Sequence, residues 1–208
     1  GCLHIRPILN LKTAQGALNL RQIATRVVTL ALSLGGSVSG EHGDGLARSE
    51  WMTQAYGPQI VAAFGQLKHA ADPQNLLNPG KIVDPAPMDT QLRYGTHYTA
   101  EAWQPVFGYQ AKTASEEALL DAIEHCNGAG VCRKSDGVMC PSFQASQDEM
   151  HSTRGRANLL RLMVSGAFPE VSLAEQAVRE ALDLCLACKV CKSECPSGVD
   201  IAKLKYEF

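Results

Sequence analysis

The 208 residues contain no apolar run long enough to cross a bilayer; the longest, around Val27 to Leu34, falls far short of a spanning helix. Charge of one sign is also lacking. A net charge of −2 gives no reason to invoke nucleic acid or an anionic membrane. There is no Gly-rich nucleotide-binding segment, so these residues alone are not expected to hold a dinucleotide firmly. The chain starts Gly1-Cys2-Leu3 without methionine and stops at Phe208 inside a young helix, as expected of a piece of a longer protein. What remains describes an ordinary globular chain of one or two domains, 45% hydrophobic. The eight cysteines are not ordinary. With no secretory leader pattern beside them, they point to reduced thiols and metal instead of disulfides. A cytoplasmic location is expected, with peripheral attachment to an inner membrane left open.

Seven of the cysteines form two groups. The downstream run is Cys185-Leu-Ala-Cys188-Lys-Val-Cys191-Lys-Ser-Glu-Cys195-Pro196. Its spacing, C-x2-C-x2-C-x3-C-P, lets three thiolates wrap three corners of one [4Fe–4S] cube while the fourth, turned away by proline, ligates a second cluster. Structural zinc more often uses two separated C-x2-C pairs. The upstream group, Cys126, Cys132 and Cys140-Pro141, repeats the Cys-Pro ending with irregular gaps. The crossover rule assigns Cys140 to the site of Cys185, Cys188 and Cys191, and Cys195 to the site of Cys126 and Cys132. Seven cysteines are one short of two fully thiolate-ligated cubes. A cube with one non-cysteine ligand, a three-iron cluster and a single occupied site all remain open. His125 and Asn127 flank Cys126 as donors or as plain loop residues. Arg154-Gly155-Arg156 lies between the groups, either raising a cluster's potential with its charge or starting a solvated helix.

Three regions are expected. Residues 1–84 begin with Cys2-Leu3-His4-Ile5-Arg6-Pro7, which reads as a strand with His4 and Arg6 on one face. A helix follows, capped by Asn19 with Gln22 and ended by Gly35-Gly36. A short extended piece spans Ser37 to Ser39. Helical stretches then run from Ser49 to Tyr56 and onward from Pro58, and Asp72-Pro73 and Asn78-Pro79-Gly80 are turn chemistry. Residues 85–114 read as a linker with Pro85, Pro87 and Pro105 and the aromatics Tyr94, Tyr98, Trp103, Phe107 and Tyr109. Residues 115–208 read as helices between cysteines. Their starts are expected at Ser115, at Thr153, at Ser172 with Glu175, and at Asp200. The fold class is α+β and mostly helical.

The first region also holds Ser39-Gly40-Glu41-His42-Gly43-Asp44-Gly45. Glycines let the backbone approach a ligand closely. A histidine takes a proton near neutral pH, and a carboxylate beside it binds a metal or orients the ring. Alone, the loop reads equally as a solvated turn.

Three motifs occur in order: Gly-Cys-Leu-His-Ile-Arg-Pro, Gly-Gly-Ser-x-Ser-Gly-Glu-His-Gly-Asp-Gly, and Asp72-Pro73-x-x-Leu76-Leu77-Asn78-Pro79-Gly80-Lys81-Ile82. Together they resemble the C-terminal part of the FAD-linked oxidase and dehydrogenase family that includes D-lactate dehydrogenase, glycolate oxidase and D-2-hydroxyglutarate dehydrogenase. The Cys126 to Cys195 region is similar to the two-cluster module fused behind such flavoproteins. The resemblance implies the end of an α+β substrate cap domain followed by an α-helical ferredoxin-like iron–sulfur domain. It implies a divalent metal, often zinc, held by His4 and Glu41 with a further histidine upstream of Gly1. It implies His42 as the base that removes the substrate's hydroxyl proton while a hydride passes to FAD. The function implied is that of a D-2-hydroxy-acid dehydrogenase passing electrons from flavin through one or two [4Fe–4S] clusters to an unnamed acceptor. A non-catalytic electron-transfer or docking module and a zinc-stabilised interaction domain are the alternatives. The fragment alone is expected to be inactive.

Overall fold

The computed structural model describes residues 3–101, 105–106, 118–168 and 170–208. Trp103, Phe107, Tyr109 and the helix start expected at Ser115 lie outside the described residues. The chain is mostly helical, and no strand forms among the described residues. It divides into two compact units, Gly1–Tyr98 and Thr99–Phe208.

In the first unit, helix α1 spans Ala14–Ser33. It starts earlier than Asn19 because the Thr13 hydroxyl accepts the Gly16 N–H and caps it. Asn19 sits inside the helix and accepts a hydrogen bond from Gln15. The helix ends at Leu34, with Gly35 left-handed at φ 72°. Residues 3–7, the described part of the stretch expected as a strand, have no regular structure, and neither does Ser37 to Ser39. A strand exists only where a neighbour completes its ladder of N–H and C=O groups, and no such neighbour is present among the described residues.

Helix α2, Gly45–Arg48, runs through a 3₁₀ turn at Ser49–Trp51 into α3, Met52–Tyr56. Gly57 breaks the path at φ 82°, and Pro58 opens α4, Pro58–Ala71. The turn after α4 is pinned by buried Asp72. Its carboxylate accepts Lys68 and the N–H groups of Leu76 (2.9 Å) and Leu77 (2.8 Å). Farther on, the Ile82 N–H donates to Ser49. Arg21 of α1 makes two-pronged pairs with both Glu50 and Asp89, and the Met88 N–H also donates to Glu50. These bonds fold residues 82–89 back onto α1 and the Ser49–Trp51 turn.

The Asp72 bonds set an acid limit. The Lys68 ammonium, helped by the two backbone N–H groups, pushes its pKa down to about 2. Because the folded value lies below the ordinary ~3.9, the stabilisation is complete above about pH 4. It is lost as pH falls through about 2. The protection of the Leu76 and Leu77 amides, measured against their intrinsic exchange rates, should fall in that window and stay flat above it. Loss of protection beginning at pH 5 to 6 would assign the turn to another group.

The second unit is built on α7, Thr153–Val164. Its cap is Ser152, one residue before the expected Thr153, and the Ser152 hydroxyl accepts the Gly155 N–H at 2.9 Å. Arg156, Ala157, Leu160 and Val164 fall on its buried face. Against it pack α5, Ala118–Glu124, and α8, Val171–Asp183, the latter burying Ala174, Val178, Ala181 and Leu182 at helical spacing. Helix α8 starts at Val171, without a side-chain cap from Ser172. Helix α6, Pro141–Ser146, opens directly after Cys140; α9, Val190–Glu194, ends directly before Cys195; α10, Ile201–Glu207, is capped by Asp200, whose carboxylate accepts the Lys203 N–H. The core is contiguous and includes Cys126, Cys132, Cys140 and Cys191.

Candidate functional sites

Two hollows open in the second unit. One is lined by Cys140, Cys185, Cys188 and Cys191 with Ser142 and Arg156. The other is lined by Cys126, Cys132 and Cys195 with Asn127 and Arg154. Met139 and Thr153 line both and form the wall between them. The backbone explains the grouping. Cys140 is extended (φ −102°, ψ 128°) with proline after it, and so is Cys195 (φ −71°, ψ 121°). Proline fixes the exit direction of the chain, so each of these thiols leaves its own loop and enters the other hollow. Between Cys185 and Cys191 the loop curls tightly: Ala187 and Lys189 both have positive φ (50° and 64°). Non-glycine residues take that conformation at a cost, and such positions cluster at ligand clamps. Lys205 steadies the loop from behind by donating to the carbonyls of Leu182 and Cys185, both at 2.8 Å.

All seven described cysteines are free thiols; Cys188 is exposed and Cys185 and Cys195 are half-buried. Donors aim at the buried sulfurs. The Arg154 N–H meets Cys132 Sγ at 3.3 Å, and Arg156 Nη1 meets Cys140 Sγ at 3.5 Å. Burial pushes the Cys132 and Cys191 thiols up. Burial also acts upward on Cys140, but the Ser142 hydroxyl, the Phe143 N–H and the Arg156 charge outweigh it, and that thiol lies below its ordinary value. Thiolate clusters with sulfur-directed donors fit iron–sulfur ligation. The second hollow offers three thiols. Asn127 lines it, but its Oδ1 accepts the Ala129 N–H at 3.0 Å, and His125 is not among the lining residues.

Arg154-Gly155-Arg156 is not a solvated helix start. Arg154 is braced on Glu149, whose carboxyl it holds below the usual range, and Arg156 is 1% exposed. Gly155 between them is required by space, because a Cβ there would run into the Glu149 carbonyl. The sequence gives no direct signal for Ser142, Thr153 or Lys205 in these walls. The alternation of an arginine on each side of a glycine was the only hint.

The first unit gathers His4, Glu41 and His42, all exposed. Nε2 of His4 lies 3.0 Å and Nε2 of His42 3.1 Å from the same Glu41 oxygen. The imidazole rings are 5.0 Å apart. One ligand atom from each residue falls within 4.8 Å of the others, close enough to share a cation. Two imidazoles and a carboxylate suit zinc and similar divalent metals. The loop is shaped by Ser39, which donates to the Gly43 carbonyl, and by Arg48, which donates to the same oxygen.

Comparison with known proteins adds the family. Residues 1–82 match the model described as FAD linked oxidases, C-terminal domain, and residues 122–199 match the 4Fe-4S dicluster domain. The chain is thus similar to an FAD-linked oxidase C-terminal domain in its first part and to a 4Fe–4S dicluster domain in its last. The D-2-hydroxyglutarate dehydrogenase of Escherichia coli K12 is 32% identical over an alignment covering all of this chain and 23% of that protein. The glycolate oxidase iron-sulfur subunit of the same organism is 37% identical over 43% of this chain and 19% of its own length. A probable mitochondrial D-lactate dehydrogenase of Danio rerio is 29% identical over 44% of this chain and 18% of its own. The chain thus spans about a quarter of the length of the dehydrogenase it matches throughout. No solved structure matches it. No helix among the described residues is long and apolar enough to cross a membrane.

Proposed function

We propose that the chain is part of a flavin-dependent D-2-hydroxy-acid dehydrogenase with a built-in electron exit, acting on a small acid of the D-2-hydroxyglutarate kind. The observation that carries this reading is the gathering of seven cysteines around two hollows with one shared wall, in a chain whose other unit gathers His4, Glu41 and His42. Residues 1–84 are assigned to an α+β cap domain, 85–114 to a linker and 115–208 to the iron–sulfur domain, and the two family matches support this division. Residues 3–7 become part of a strand of that cap once the rest of the protein pairs with them. Leu3, Ile5 and Ile8 are exposed here, which is consistent with a missing neighbour.

Bound FAD would supply the hydride acceptor, a divalent cation would polarise the hydroxyl oxygen, and iron–sulfur clusters would carry single electrons onward. His4 Nε2 and the Glu41 carboxylate would hold the cation. His42 takes the hydroxyl proton at a ring nitrogen, with Glu41 fixing the ring's orientation at 3.1 Å. The thiolates of Cys140, Cys185, Cys188 and Cys191 would hold one cluster, and those of Cys126, Cys132 and Cys195 the other.

The test is anaerobic purification of the full-length protein, followed by iron and sulfide analysis and dye reduction with a panel of D- and L-2-hydroxy acids. Brown protein absorbing near ~400 nm that reduces dye with D-acids is expected. Brown protein inert to every hydroxy acid would make it an electron carrier. A colourless, zinc-loaded protein would make the second unit an interaction domain.

A further inference from the structure

We infer that Arg156 raises the reduction potential of the cluster held by Cys140, Cys185, Cys188 and Cys191. The inference rests on the proposed function, since it needs both clusters in place.

The two arginines of the Arg154-Gly155-Arg156 run face different hollows and are balanced differently. Arg154 spends its charge on a carboxylate: Nε lies 2.8 Å and Nη2 3.1 Å from the two Glu149 oxygens. Arg133 joins the same carboxylate from a half-exposed position, where water screens it. Cys132 receives the Arg154 backbone N–H at 3.3 Å, and the guanidinium, which also acts on Cys132 and Cys126 through its charge, is largely offset by Glu149. Arg156 is 1% exposed. Its contacts are the Ala181 carbonyl at 2.7 Å, the Ser142 hydroxyl at 2.9 Å and Cys140 Sγ at 3.5 Å. None of these partners is a carboxylate. A buried guanidinium with no counter-charge is costly. An anionic cluster on the far side of Cys140 supplies that counter-charge.

A [4Fe–4S] cube with four thiolates is already anionic, and one added electron deepens the charge. A cation in a low-dielectric interior stabilises the reduced form more than the oxidised form, so it raises the potential. The other charges near this hollow do not cancel the effect. Lys189 lines the hollow and Lys205 is bound behind Cys185, and both are positive. Asp200 lies near Cys191, but it caps α10 and pairs with Lys192 at 3.6 Å. Arg156 thus makes an added electron more stable at the site whose Cys188 is exposed.

The experiment is a redox titration of the anaerobically reconstituted chain followed by electron paramagnetic resonance, with iron and sulfide measured on each sample. Two waves are expected. C132S should remove the wave of the upstream cluster and keep that of the downstream one. R156Q should move the wave that C132S keeps downward by about 59 mV or more, a tenfold change in a one-electron reduction constant, and leave the other wave in place. R156K, which keeps the charge, should recover most of that shift; a purely structural role would leave R156K and R156Q alike. A C132S protein that keeps no wave overturns the inference without relying on the folding of an Arg156 variant. Unshifted waves in iron-replete R156Q overturn the inference alone. Wild-type chain that takes up no iron overturns both the inference and the proposed function.

Discussion

Replacing His42 with alanine in the full-length protein is expected to lower kcat by about 10²–10⁴-fold while flavin content stays at the wild-type level. Removal of a proton from the hydroxyl is part of the chemical step, and the loss of a positioned base appears in kcat and kcat/KM together. Flavin content should not move, because no nucleotide-binding segment lies in these residues. The structure sharpens the test. His42 and His4 approach the same Glu41 oxygen, at 3.1 and 3.0 Å, so His42 is also within reach of a cation held there. A base and a ligand differ in what their loss does to the metal. With His42 as base, H42A keeps its divalent metal and E41Q loses it. Metal analysis of both variants, beside rapid-mixing measurements of flavin reduction, separates the roles. Near-wild-type turnover in H42A would return the loop to a structural turn. Equal metal loss in H42A and E41Q would make His42 a ligand.

The parts of this molecule that were legible in its sequence are those governed by local chemistry. The partition of the cysteines followed from proline after Cys140 and Cys195, because proline restricts the next step of the chain whatever surrounds it. The Gly57-Pro58 break and the Asp200 cap were legible for the same reason. Near misses came where two residues fit one template. Ser152 and Thr153 are adjacent hydroxyls, and the cap fell to the first. Asn19 with Gln22 satisfied a capping box, yet Thr13 had already started the helix, and Gly16 in the first turn obscured that start. The strand at Cys2 to Pro7 was read from alternation alone. Alternation states which face is apolar, but pairing depends on a distant strand. The burial of Arg156 could not be read at all. Arginine is mostly a surface residue, and only the packing of α7 on α8 brings the Ala181 carbonyl to its guanidinium.

Cys140→Ser is expected to damage the cluster of the downstream cysteines, and Cys195→Ser that of the upstream ones, each against its order in sequence. Cys140 lies much nearer in sequence to Cys132 than to Cys185, yet it lines the hollow of Cys185, Cys188 and Cys191. Cys195 follows Cys191 by four positions, yet it lines the hollow of Cys126 and Cys132. A serine hydroxyl is a poorer ligand to iron than a thiolate, so each variant should lose or convert one cluster and spare the other. Resonance spectra of reduced samples, with iron counted, read this directly. The crossing has a second consequence. Each cluster ties a loop from one half of the unit to a loop from the other, so ligation stabilises the folded arrangement and metal loading becomes part of folding. Cys140 is the more consequential of the two thiols. It is buried, it accepts Arg156 Nη1, and it lies beside Ser142, which Arg156 also holds. C140S should therefore lower the thermal stability of the loaded chain more than C195S, whose thiol is half-buried. Scanning calorimetry of the loaded chains measures the difference. A C140S protein that keeps the downstream cluster and loses the upstream one would show that the thiols do not cross.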